Sequence, residues 1–248
     1  MSMKERREFL KDNIRQQINF SRTAQSQGFA PPPVEKPVPE DAKRIELPGE
    51  DGWKTFKPTS LVDAIVNRKS RRDSTKGDLS LLELSFLLYA TQGVTRKELP
   101  YHAFRVVPSA GCRHALETYV TALQVEGLEK AMYRYLPLSH ELVFIATYPN
   151  IENRVTEAVL GQAFAGRSAA VFFWTTIPER MEWRYAEAAH KVIALDAGHV
   201  CQNLYLAGEA AGCGVCAIAA YDQDLSDALV GVDGEEEFTI YIATVSKR

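Results

Sequence analysis

Arg68-Lys69-Ser70-Arg71-Arg72 places four cations and a hydroxyl in five consecutive residues. Guanidinium forks and a hydroxyl are the groups that recognise a phosphate, and a basic run is equally the composition of a solvated face. Residues 105–119, RVVPSAGCRHALETY, hold Pro108, Ser109, Ala110 and Gly111 between two strand-like runs. Small residues there let a flat ligand lie on the backbone, where successive N–H groups meet acceptors on its edge. An ordinary turn has the same composition. Residues 196–216, DAGHVCQNLYLAGEAAGCGVC, read as a thin helix that ends in glycine and runs on into an apolar stretch. A flat, anionic cofactor held among the three segments would account for all of them.

Other residues carry weaker signals. Arg184-Tyr185 sets a cation beside a phenol, a pair able to assist proton transfer or steer an anionic substrate; a surface arginine beside a half-buried tyrosine reads the same way. The C-terminal Lys247-Arg248 would bring further cations after the last strand. Cys213-Gly214-Val215-Cys216 has redox spacing, but the pair follows a helix instead of opening one, so no helix N-terminus lowers a thiol pKa there. No second cysteine pair completes a zinc site, and His199 reads as a packing residue. No metal is expected.

These segments need elements to position them. Residues 3–22 are predicted to form a short helix, and 29–58, with Pro31, Pro32, Pro33, Pro37, Pro39, Pro48 and Pro58, an extended arm. Ile45, Leu47, Trp53 and Phe56 call for burial, so the arm is expected to wrap over a surface. The body begins near Ser60, an N-cap for LVDAIVNR. Ser80 and Glu83 form a capping box for LLELSFLLYA, stopped at Gly93. Strands are predicted at 104–107, 116–125, 132–135, 142–147, 169–176, 214–219 and 238–245. Helices are predicted at 151–163, 178–190, 192–212 and 225–230. Two regions follow, residues 1–59 and 60–248, and the class is α+β or α/β.

The chain of 248 residues, 46% hydrophobic and 25% charged, suits a globular fold. A net charge of −3 offers no basic field for nucleic acid or an anionic membrane surface. Its apolar runs are too short to span a bilayer, its charged N-terminus is not a secretory signal, and four cysteines make no disulfide framework. A soluble cytoplasmic protein is the expectation.

From about Val62 to Lys247 the chain resembles the FMN-dependent nitroreductase superfamily. It is most similar to the branch of azoline dehydrogenases that act in thiazole- and oxazole-modified peptide biosynthesis, of the streptolysin-S type. Arg68–Arg72, ELSFLLYATQG (83–93), RVVPSAGCRHALETYV (105–120), VEGLEKAMYRYLPLSHEL (125–142) and DAGHVCQNLYLAGEAAGCG (196–214) come in the family's order. The leader REFLKDN…SQGFAPPP resembles the N-terminal arm of stand-alone members.

The resemblance implies an α+β, three-layer fold with a central, mainly antiparallel sheet, in an intertwined homodimer with FMN at the interface. It assigns Arg68, Lys69, Ser70 and Arg72 to the FMN phosphate and Pro108, Ser109, Ala110 and Gly111 to the ring. Ala217, Ile218 and Ala219 fall at the flavin's polar edge, Lys247 near the phosphate, and Gln92 at the flavin. The implied reaction takes electrons from NADH or NADPH to an electron-poor small molecule, with ping-pong kinetics and Arg184 and Tyr185 as the catalytic pair. The alternatives are oxidation of peptide azolines to azoles with oxygen as acceptor, and a non-catalytic flavin-binding dimer. Three positions depart from the branch: Ala219 stands where glycine is frequent, Arg184-Tyr185 where a Lys-Tyr pair is tied to catalysis, and Cys112 where many members carry a polar residue. Arginine keeps its proton near neutral pH, so Arg184 orients or neutralises and does not act as a base.

Overall fold

The computed structural model describes residues 2–248. Seven strands form one sheet in the order β1-β6-β5-β4-β7-β9-β8, every neighbouring pair antiparallel. They are β1 (Arg44–Glu46), β4 (Leu116–Ala122), β5 (Ala131–Leu136), β6 (Glu141–Ala146), β7 (Ala170–Thr176), β8 (Cys213–Ile218) and β9 (Phe238–Lys247). A separate hairpin joins β2 (Val94–Glu98) to β3 (His102–Arg105). The helices are α1 (Met3–Glu8), α2 (Glu50–Trp53), α3 (Leu61–Asn67), α4 (Leu81–Gln92), α5 (Ile151–Ala158), α6 (Glu179–Tyr185), α7 (Ala189–Ala210) and α8 (Gln223–Val230).

Side-chain alternation builds the three layers. Val120, Phe172 and Trp174 join one core with Leu84, Leu87 and Leu88 of α4 and Val200 and Leu204 of α7. Their neighbours Tyr119, Val171 and Phe173 point the other way, to Val155 and Ala158 of α5 and Leu229 and Val230 of α8. Helices cover both sheet faces, which is why the interior strand β7 is buried along its whole length. The fold is α+β with a central antiparallel sheet, as expected. No described helix is long and apolar enough to cross a membrane.

The arm is extended, and it wraps over its own chain. Lys36 donates its amide to Glu117 at 2.9 Å, Arg105 reaches the Val34 carbonyl at 2.9 Å, and Arg134 reaches the Lys36 carbonyl at 2.9 Å. Strand β1 then pairs with β6 at the sheet edge. Leu47 is buried, while Ile45, Trp53 and Phe56 are half-buried.

Several expectations need correction, among them the helix over 151–163, which ends at Ala158. The first helix ends at Glu8 and gives way to short 3-10 turns at 13–17 and 20–22, because Phe9, Leu10 and Ile14 find little to pack against. Gly93 has φ −55°, so it is no left-handed stop. Its role is space: a Cβ would lie 2.2–2.6 Å from the Tyr89 ring. The helix opened by Pro178 ends at Tyr185, where Ala186 turns to φ 47°. Strand β2 was not predicted, since VTRKE is nearly all exposed and shows no apolar alternation.

Candidate active site

The basic segment is set by two neighbours. Ser60 caps α3, its hydroxyl accepting the Asp63 amide at 3.0 Å, and the helix stops at Asn67. The chain then runs beside β8: Arg71 donates its amide to the Val215 carbonyl at 2.9 Å, and Ser70 bridges Val215. Tyr205 of α7 ties the two together. Its hydroxyl lies 2.8 Å from the Ser70 hydroxyl and accepts the Ala217 amide at 2.8 Å. The Arg68 guanidinium stands over the same ring, 5.2 Å from its centroid.

The cations differ in what they face. Arg71 is neutralised by Glu209 at 2.8 Å, and Glu209 also holds Arg248 at 3.0 Å. Lys247 pairs with Glu83, the residue that caps α4. Arg68, Lys69 and Arg72 make no ion pair among the described residues, which leaves three cations and the Ser70 hydroxyl for an anion. Ile218 is buried at the end of β8, Ala217 is half-buried and Ala219 is exposed.

A second group forms on the β3–β4 connection. Pro108 is exposed, Ser109 is extended, and a 3-10 turn covers Ala110–Cys112 with Gly111 at φ 59°. Cys112 and Arg113 spend their amides on the carbonyls of Ser109 and Ala110, and His114 donates its amide to the Ser109 hydroxyl. The amides of Ser109 and Gly111 remain as the loop's donors. The expected row of successive N–H groups is therefore reduced to these alternating ones.

Arg184 and Tyr185 come to this loop. A Cβ on Gly111 would lie 2.7 Å from the Tyr185 hydroxyl and 2.8 Å from Arg184 Cδ and Nε. Arg184 Nε donates to the Tyr185 hydroxyl at 3.2 Å, which frees the phenol proton for another acceptor. Gln92 takes a different place. It is buried behind the loop, where its carbonyl accepts from Arg105 at 2.8 Å. His114 is buried there too, and desolvation, with Arg105, Arg113 and Arg180 nearby, pushes its imidazole down to about 2. Asp196 of α7 faces the same loop, its carboxyl raised chiefly by burial.

The Cys-x-x-Cys lies within β8. Positions 213 and 216 differ by an odd number, so their side chains leave opposite faces of the strand. Both are free and buried, and burial pushes the Cys213 thiol up to about 12. No cluster of three or more His, Cys, Asp or Glu residues suited to a metal occurs among the described residues. His199 is exposed on α7.

One chain keeps the two groups apart. Tyr205 anchors the basic segment and Asp196 lies under the loop, both on α7. They are nine residues apart, about two and a half helical turns, and so face opposite sides of the helix. Sequence reasoning missed Tyr205, which reads there as one more residue of a thin helix. Nothing local marks it, since its partners are Ser70 and Ala217.

Residues 65–246 match the family model described as Nitroreductase family. A nitroreductase-type protein of Methanocaldococcus jannaschii is 32% identical over 76% of this chain and 90% of its own length. The trifolitoxin-processing protein TfxB of Rhizobium leguminosarum bv. trifolii is 30% identical, over 54% of this chain and 37% of its length. Among solved structures, a chain of the E. coli microcin synthetase McbBCD complex, with truncated pro-MccB17 bound, superposes with a TM-score of 0.60. That match covers 100% of this chain and 98% of the other at 17% identity, a likeness of fold. The matches thus include a protein named for trifolitoxin processing and a chain of a synthetase complex with a peptide bound. With a family model spanning most of its length and a relative of this identity along nearly all of that relative, the chain belongs to the nitroreductase family.

Proposed function

We propose that this nitroreductase-family oxidoreductase binds FMN across a homodimer and passes electrons from NADH or NADPH to an electron-poor small molecule. The observation that carries the reading is the approach of Arg184 and Tyr185 to Gly111, which joins a candidate proton-bearing pair to a loop with uncommitted amides. Arg68, Lys69, Ser70 and Arg72 would hold the phosphate, with Lys247 at its margin. Ser109 and Gly111, in the loop that starts at Pro108 and passes through Ala110, would donate to the ring. Ala217, Ile218 and Ala219 would supply backbone at its polar edge. Gln92 supports the loop from behind.

The two faces of α7 support the dimer. A cofactor that touches both groups of residues takes them from two chains. Helix α3 supports this, since Leu61, Val62, Ile65 and Val66 are 56–75% exposed, an apolar stripe that a partner would cover. The division into an arm, 1–59, and a flavin domain, 60–248, and a cytoplasmic location belong to the same reading.

Bound FMN supplies two-electron hydride transfer between nicotinamide and acceptor. The chain's own residues bind and orient. Uncommitted amides and cations favour developing negative charge. Tyr185, its phenol oxygen already accepting from Arg184, holds a proton that it can donate to an acceptor. Donor and acceptor use one pocket in turn, a ping-pong order. The test is the absorbance spectrum of the purified protein before and after anaerobic NADH and NADPH. A flavin spectrum that bleaches supports the reading and disposes of a non-catalytic flavin-binding dimer. Colourless protein that takes up no FMN overturns it.

A second reading rests on the similarity to the trifolitoxin-processing protein and to the microcin synthetase chain. Here the same site oxidises a peptide azoline to an azole, and oxygen takes the electrons. Tyr185→Phe is then expected to abolish azole formation, by about 10²–10⁴-fold, with bound flavin intact. Retained azole formation counts against it.

A further inference from the structure

Behind the 108–111 loop the core contains a charge that the flavin reading leaves unused. Asp196 is 6% exposed, and its Oδ2 has no hydrogen-bond partner. The Ser109 side chain and the Ala110 amide face the carboxyl and favour its charged form. A cavity of about 10 Å³ lies among Asp196, Gln92, Ser109 and His114. That volume suits one water, which needs two to four polar partners, and these residues provide them. The packing of α7 asks for no carboxylate here: its neighbours Ala197, Ile193 and Val200 are apolar, and a buried charge costs stability unless something uses it.

We propose that Asp196 is a positioning residue: its carboxylate holds the Ser109 hydroxyl and Ala110 amide inward, an internal water completes Oδ2, and the Ser109 and Gly111 amides are left as donors to the cofactor. This rests on the reading of the loop as a flavin contact. The hydrogen-bond order is consistent along the chain. The His114 amide donates to the Ser109 hydroxyl oxygen at 2.9 Å, so the hydroxyl proton is available to Asp196. Protonating Asp196 takes away an acceptor and loosens the loop, so FMN affinity falls as the medium becomes acidic.

The other groups around Asp196 are accounted for. His199 lies one turn along the same helix and is exposed. His114, on the loop side, stays neutral above its value of about 2. Behind it stand Arg180 and the guanidinium groups of Arg105 and Arg113, both lowered by burial, Arg105 to about 10. Gln92, from α4, does not titrate. The phosphate of FMN titrates near pH 6, equally for every variant.

The test measures FMN dissociation constants by flavin fluorescence, from about pH 4.5 to about pH 8, for the full-length protein, Asp196→Asn, Ser109→Ala and His199→Gln. Asp196→Asn and Ser109→Ala are expected to bind FMN about tenfold more weakly at pH 8, the worth of one charge-assisted hydrogen bond. Asp196→Asn is further expected to lose the acid-side weakening beyond what the phosphate itself causes. His199→Gln keeps the wild-type profile. An Asp196→Asn profile that tracks wild type at every pH overturns the proposal, as does loss of the acid-side step in His199→Gln. If wild type binds no FMN, the flavin reading fails, and a high-resolution crystal structure of the apoprotein decides this one. Ser109 turned to the carboxylate with a water on Oδ2 supports it; Ser109 turned away with no water there overturns it.

Discussion

The Tyr185 hydroxyl occupies the space that a side chain on Gly111 would need, 2.7 Å from the position of its Cβ. Arg184 fills the other side of that space, and Gly111 has φ 59°. The loop and the candidate catalytic pair thus fit only because this position has no side chain.

Gly111→Ala is the direct probe. A left-handed non-glycine residue costs about 1–3 kcal/mol, and here the Cβ also displaces Tyr185 or Arg184. The expected result is a lower thermal midpoint together with loss of retained flavin. Calorimetry and the flavin-to-protein absorbance ratio check both.

Tyr205→Phe removes one hydroxyl and leaves the Ala217 amide and the Ser70 hydroxyl without their partner. The expected cost is about 1–3 kcal/mol of stability. FMN affinity falls as well, because the basic segment is no longer tied to β8. Urea denaturation and FMN titration measure the two effects.

Val62→Glu with Val66→Glu places charges in the exposed stripe of α3. If the stripe is a subunit interface, the double variant becomes monomeric and loses FMN, since a lone chain offers any one cofactor only one of the two groups of residues. Sedimentation and flavin content read this out. Full occupancy in a monomer would contradict the two-chain site.

Asp196→Asn also has a pH signature in stability. The wild-type carboxyl is raised in the fold by burial, so its contribution is present below the ordinary aspartate value near 3.8 and is lost as pH rises through the raised value. Asparagine suffers no such loss. The variant is therefore expected to melt higher than wild type near neutral pH, by about 2–4 °C for each 1 kcal/mol. The gap closes below pH about 4. Thermal melts at several pH values measure it.

Much of this molecule is written within a few residues of itself. The caps at Ser60 and Ser80-Glu83, the alternation of β7 and the small-residue spacing of α7 are local patterns, and the structure follows them. The cations of 68–72 and the 108–111 turn were likewise legible as material for a candidate site. Their partners were not. Glu83 was legible as a cap, but its pairing with Lys247, 164 residues away, was not. Tyr205 meets Ser70 across 135 residues, and Asp196 meets Ser109 only because α7 packs behind the loop. Hydrogen-bond closure and hydrophobic period act over three or four residues, so a sequence displays them. Strand order, and the side of α7 on which each residue falls relative to its neighbours, are settled by how the layers pack, and that packing separates the two groups of candidate site residues onto opposite faces of one helix.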